Sequence, residues 1–215
     1  MAGLKVITLG GEPLSVEGAR IVEYLETRTG SLTPEAIRDR VRASATQFEN
    51  AAAAVSEEQA RSHPIAGKWS IAEIVDHVAQ TQIRSAEELR HLVAGRRPPY
   101  PPVYEGLRSG APEFAPWPEL LEGLHAANHE VVAVLDAALS SAQAPRATVD
   151  AVVVVTRSLD DGRTAPQRFV VELGWREYGL FCRMHLVDHS NQIKKLVAAA
   201  AVAESEVYTK PWNPS

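Results

Sequence analysis

The chain has 215 residues, 45% hydrophobic and 23% charged, with a formal net charge of -5. That is enough for one sizeable domain and short for two, and its scattered Lys and Arg form no basic stripe for a nucleic-acid partner. Cys182 is the only cysteine. This excludes an intramolecular disulfide and a structural zinc site built on thiolates, and it fits the expected location, a reducing cytoplasm. The stretch Leu4 to Leu9 is too short for a signal peptide, and no apolar run reaches membrane-spanning length, so no membrane is expected as a partner.

In chain order, residues 1–30 are expected to be a lead-in. It should be irregular over 1–16, where Gly10-Gly11 and Pro13 act as breakers, then helical from Glu17 to Thr27, with Gly30 as the stop. A bundle domain is expected over 31–203 and a tail over 204–215. The first long helix begins at Thr33-Pro34, an N-cap followed by proline at N1. Ile37, Val41, Phe48, Ala52 and Val55 mark its apolar stripe, and His63-Pro64 and Gly67 break the pattern. The second helix opens on Ser70-Ile71-Ala72-Glu73, a capping box. Its stripe runs from Ile71 and Ile74 to Leu92 and Val93, and Gly95 is a natural C′ residue.

Residues 96–118 then hold seven of the fourteen prolines, interleaved with Tyr100, Tyr104, Phe114 and Trp117. The segment reads as a long crossover, packed against the domain in the manner of a lid. The third helix spans about Pro118 to Leu139. Val149–Thr156 and Arg168–Leu173 are β-rich and flank Asp160-Asp161-Gly162, which predicts a β-hairpin with a longer loop. The fourth helix follows from Trp175 to Ala203. The expected fold class is mainly α, a four-helix bundle with a long crossover after its second helix and a small hairpin before its last.

On the fourth helix, Tyr178, Phe181, Cys182, His185, His189, Gln192 and Leu196 share one face at about 100° per residue. Two imidazoles one turn apart on that face are costly unless something satisfies them. The i, i+4 spacing lets both reach one ion; two core histidines bonded to polar neighbours remain the alternative. His77 lies on the flank of the second-helix stripe, a boundary position by itself. His125, near the inner face, and His129, further round, form a second i, i+4 pair on the third helix. The same ligand logic makes them candidates, with a boundary position as the ordinary alternative. Asn128, between them, falls at the centre of the inner face and should be hydrogen-bonded if buried. Glu73 is a candidate base one turn before His77, although the capping box already accounts for it. Asp188 is a candidate acceptor that orients a liganding ring, or else a surface carboxylate. Cys182 is a candidate soft ligand or a packing cysteine. His63 and His91 read as surface residues.

Two stretches carry a family resemblance. Lys68-Trp69-Ser70-Ile71-Ala72-Glu73-Ile74-Val75-Asp76-His77 resembles the opening signature of the DinB/YfiT-like metalloprotein family. Arg183-Met184-His185-Leu186-Val187-Asp188-His189-Ser190-Asn191-Gln192-Ile193 resembles its closing signature. The resemblance implies a four-helix bundle that carries one divalent metal ion on three histidines, here His77, His185 and His189. Zn²⁺ and Ni²⁺ both suit imidazole. An ion with open coordination can lower the pKa of a bound water or thiol. The resemblance therefore implies a small-molecule substrate and either low-molecular-weight-thiol S-transfer or metal-dependent hydrolysis. A non-catalytic metal-binding stress or damage-response protein, and a homodimeric helical scaffold, stay open as alternatives. No cofactor beyond the metal is expected.

Overall fold

The computed structural model describes residues 3–139 and 146–209, with side chains in the last helix through Val202. Among the described residues, six α-helices and three strands follow one another as β1 (Val6–Thr8), α1 (Val16–Ser31), α2 (Pro34–Ala53), α3 (Glu57–Arg61), α4 (Ile71–Val93), α5 (Trp117–Leu139), β2 (Val149–Ser158), β3 (Thr164–Leu173) and α6 (Trp175–Thr209). The architecture is mainly helical with a small antiparallel sheet, as the patterning predicts. No described helix is long and apolar enough to cross a membrane.

The helix starts are chemical. Thr33 Oγ1 accepts from the Ala36 amide, with Pro34 at the first helical position. At α4 both halves of the Ser70/Glu73 capping box form. A second capping box, Ser56 with Gln59, starts α3, a helix the sequence reading passed over. Gly95 takes the left-handed conformation after α4 (φ 71°) that suits a C′ glycine.

Several boundaries differ from expectation. Residues 1–16 are not irregular throughout: Val6, Ile7 and Thr8 pair with Val171, Val170 and Phe169, so the hairpin becomes a sheet ordered β1-β3-β2. A run of three β-branched residues was the available signal. Gly30 does not stop α1, which runs on to Ser31. The stop lies at Leu32 and Thr33, both extended, as the residue before Pro34 must tend to be. The last helix continues past Ala203 to Thr209.

Two apolar clusters fill the interior. One joins the sheet and α1 to Ile37 and Val41, Leu89 and Leu92, Val131 to Ala138, and Trp175 to Cys182. The other joins Phe48 and Ala52, Ile71 to Ala79, Trp117 to Leu124, and Leu186 to Leu196. The order in which each helix visits the clusters fixes its direction. α2 and α6 run from the first cluster to the second, while α4 and α5 run from the second to the first. Neighbours α4 and α5 are therefore parallel, which a tight turn cannot connect. This is the structural reason for the long crossover. Between the clusters lies a polar layer that includes the buried residues Ser44, Gln82 and Asn128.

Candidate metal centre

α4 and α6 run antiparallel, and beside the second cluster they bring three imidazoles together. His77 Nε2 lies 3.1 Å from His185 Nε2, and His189 Nε2 lies 3.0 Å from it. The three rings meet edge to face, with centroids 4.4 to 5.0 Å apart. His77, His185 and His189 form a group that could hold one metal ion.

The outer nitrogens fix which way each ring presents its lone pair. His77 Nδ1–H donates to the Leu107 carbonyl at 2.9 Å. His189 Nδ1–H donates to Gln192 Oε1 at 3.0 Å, and Gln192 Nε2 in turn donates to Asp188 at 2.9 Å. Both rings thus carry their proton on Nδ1 and point a bare Nε2 inward. His185 Nε2 faces both of them, and its buried Nδ1 has no partner among the described residues. A single proton on His185 Nε2 cannot serve two acceptors well. With His185 protonated on Nδ1 instead, three lone pairs converge.

That arrangement suits a cation. Ligand atoms 2.0–2.1 Å from a tetrahedral ion stand roughly 3.3 Å from each other, close to the separations seen. The electrostatics agree, because ligation needs neutral imidazole. Burial pushes the His77 pKa down. Burial, followed by His189 and His77, pushes His185 well below its ordinary value. Burial, with His77 adding to it, brings His189 to about 4.

His77 is more enclosed than its flank position suggests, at 8% exposure. The cause is the crossover, whose residues 106–107 lie over its ring, with Trp69 packed 5.0 Å away. Glu73 serves as a cap. Its Oε2 accepts from the Ser70 amide (2.8 Å) and lies 3.1 Å from His63, and its Oε1 faces Arg108. Burial alone would raise its pKa, but the Ser70 amide and His63 outweigh burial and hold it below the usual carboxylate value, which suits a base poorly. Asp188 is exposed, and its hydrogen-bond route to His189 runs through Gln192, a residue whose role the sequence reading missed. Its spacing, three after His189 and four after Asp188, was the available signal. Cys182 stays outside the donor group; burial pushes its thiol up to about 12, and it packs as a neutral side chain. His125 and His129 are both exposed, so His125 is not near the inner face as expected, and it contacts Glu49 instead. Asn128 is buried and hydrogen-bonded, as expected: Gln82 Nε2 donates to its Oδ1 and its Nδ2 donates to Glu49.

The comparisons with known proteins bear on this fold. No curated protein matches the chain. A solved structure titled "Crystal structure of the mycothiol-dependent maleylpyruvate isomerase" is similar at 16% identity with a TM-score of 0.43, over 77% of this chain and 62% of that one. The chain therefore spans under two thirds of that protein's length. A family model described as the DinB superfamily matches residues 40–193. That match covers α4, the crossover, α5, the hairpin and both histidines of α6, and the chain belongs to the DinB superfamily.

Proposed function

We propose that the chain is a metal-dependent enzyme in which His77, His185 and His189 hold one divalent ion, Zn²⁺ or Ni²⁺. The reaction is S-transfer from a low-molecular-weight thiol to a small electrophilic substrate, with hydrolysis as the variant in which water takes the place of the thiol. The observation that carries the reading is the convergence of three neutral imidazoles whose outer nitrogens leave Nε2 free to point inward. The bound ion would supply Lewis acidity and lower the pKa of the thiol or water it meets.

The chain's own residues do the rest. Leu107 and Gln192 hold the rings of His77 and His189 in the ligating tautomer. Three protein ligands leave coordination open for a reactant. The crossover would wall one side of the substrate pocket through the residues that lie on His77. A cytoplasmic location goes with this chemistry, because thiols stay reduced there.

Protein purified without a chelator or a nickel column should carry close to one metal per chain by elemental analysis. Thiol conjugation to a panel of electrophiles should then show a rate that chelator abolishes. Absence of a metal-dependent rate across several cellular thiols returns the chain to the non-catalytic reading. Absence of the metal removes the site itself.

A further inference from the structure

The crossover touches the start of α4 at four successive residues, each by a different chemistry. Gly106 lies so close that a Cβ there would come 3.0 Å from Trp69 Cη2 and 3.5 Å from His77 Cε1 and Nδ1. Leu107 supplies the carbonyl that accepts from His77 Nδ1. Arg108 stands 5.3 Å over the Trp69 ring, with one guanidinium nitrogen 3.5 Å from Glu73. Ser109 gives Asp76 two hydrogen bonds, from its amide at 2.9 Å and from its hydroxyl at 2.5 Å. The Ser109 hydroxyl also accepts from the Ala111 amide at 3.0 Å, where a 3₁₀ turn (Ala111–Glu113) begins.

Asp76 is otherwise hard to explain. It is 2% exposed, and a buried carboxylate is retained only where partners satisfy it. Its partners at Ser109 both come from a loop rather than from the bundle. It sits beside His77 in sequence, about 100° round the helix, so it grips the strap on one flank while His77 meets it on the next. The two contacts bracket Leu107.

We propose that Asp76, Gly106 and Ser109 are positioning residues for His77: they clamp the 106–109 strap so that the Leu107 carbonyl holds His77 as the Nδ1–H tautomer with Nε2 aimed at the ion. The proposal rests on the metal-site reading for its consequence but not for its geometry. Outer partners of liganding histidines are worth about 10–100-fold in metal affinity, and that is the scale expected here.

The test uses the full chain with Zn²⁺ as the probe, titrated against a chromophoric chelator. Ser109→Ala and Gly106→Ala should each weaken zinc binding by about 10-fold or more. Ser109→Thr, which keeps the hydroxyl, should restore it. Both positions lie in the strap outside the bundle core, and circular dichroism reports whether the helices persist. Asp76→Asn, which keeps the shape, should follow Ser109→Ala. In a His77→Ala background, adding Gly106→Ala should cost nothing further, because the strap acts through that ring. Nitrogen-15 NMR of the metal-free protein gives a readout that a merely structural role would not move. The wild type should show His77 protonated on Nδ1, and Gly106→Ala should show a mixture of tautomers. Unchanged affinity with an unchanged tautomer overturns the strap proposal, as does an equal loss in the His77→Ala background. If His77→Ala binds zinc as tightly as the wild type, the metal-site reading fails, and the NMR readout still decides the strap.

Discussion

On α6, His185 and His189 sit one turn apart with nitrogens 3.0 Å apart, facing a third ring across the seam to α4. On α5, His125 and His129 have the same spacing, yet both are exposed, and His125 spends a nitrogen on Glu49 at 3.1 Å. What α5 buries at that level is Asn128, bonded on both sides. Spacing is therefore not what distinguishes the pairs. The α6 pair lies where its outer nitrogens are taken or buried and its inner ones have no donor to share among them. The α5 pair lies where water can satisfy every nitrogen, and the polar group that does enter the core finds protein partners. A shortage of donors among buried nitrogens separates a site for a cation from a satisfied polar contact.

The largest expected effect breaks the two pairs apart. His185→Ala should lose the metal proposed for the wild-type protein, measured by elemental analysis after desalting without chelator. His125→Ala and His129→Ala should each keep it at the wild-type ratio. Removing one of the three histidines leaves two imidazoles, too few for a closed or catalytic zinc site. Equal loss from an α5 variant, or retention in His185→Ala, would reverse the assignment.

The second effect concerns protons in the metal-free protein. An imidazole whose folded pKa lies below its unfolded value, about 6.5, takes up a proton more readily in the unfolded chain. Its stabilising contribution is complete above that value and is lost as pH falls toward and through the folded pKa. His185 and His189 are both of this kind, with His189 brought to about 4 by burial first and by His77 after it. With chelator present, the unfolding free energy should be flat between about pH 7 and 8 and fall between pH 6.5 and 4, by roughly 3 kcal/mol for His189 alone. His189→Gln should flatten that slope. Urea unfolding at four or five pH values measures it, and a slope that His189→Gln leaves unaltered would place the acid sensitivity elsewhere.

Much of this was legible beforehand, for identifiable reasons. The α4 start is written in a capping box whose two bonds both form. The hairpin is written in β-branched residues on either side of Asp160-Asp161-Gly162, and its ladder runs from Val149↔Leu173 to Ser158↔Thr164. His185 and His189 stand on an apolar stripe with period 3.6. His77 was less legible because local periodicity sees only its own helix, and what buries it is a strap about thirty residues away. The pairing of β1 with β3 spans more than 160 residues and left only three β-branched residues as a trace. Ser109 was invisible for the same reason, because it matters through a partner's atom, and Gln192 showed its place on the inner face but not its bond to His189. His125 misled because an i, i+4 spacing fixes the two side chains relative to each other and leaves open which way the pair faces.

The smallest effect sharpens the comparison inside α5 itself. Asn128→Ala removes the acceptor of Gln82 Nε2, a residue 1% exposed, and a donor to Glu49. The Gln82 Oε1 atom already lacks a partner among the described residues, so the variant strips the bond its amide keeps to Asn128. Leaving a buried donor unsatisfied costs about 1–3 kcal/mol. His125→Ala breaks only a contact to Glu49 from a side chain that is 71% exposed, and exposed pairs of that kind contribute about 0–1 kcal/mol. Chemical denaturation at pH 7 should therefore rank Asn128→Ala well below His125→Ala in stability, with His125→Ala close to the wild type. The metal content of both should be unchanged, since neither residue belongs to the three-histidine group. Equal destabilisation by the two variants would mean that the exposed pair on α5 is tied into the fold more tightly than its contact with Glu49 implies.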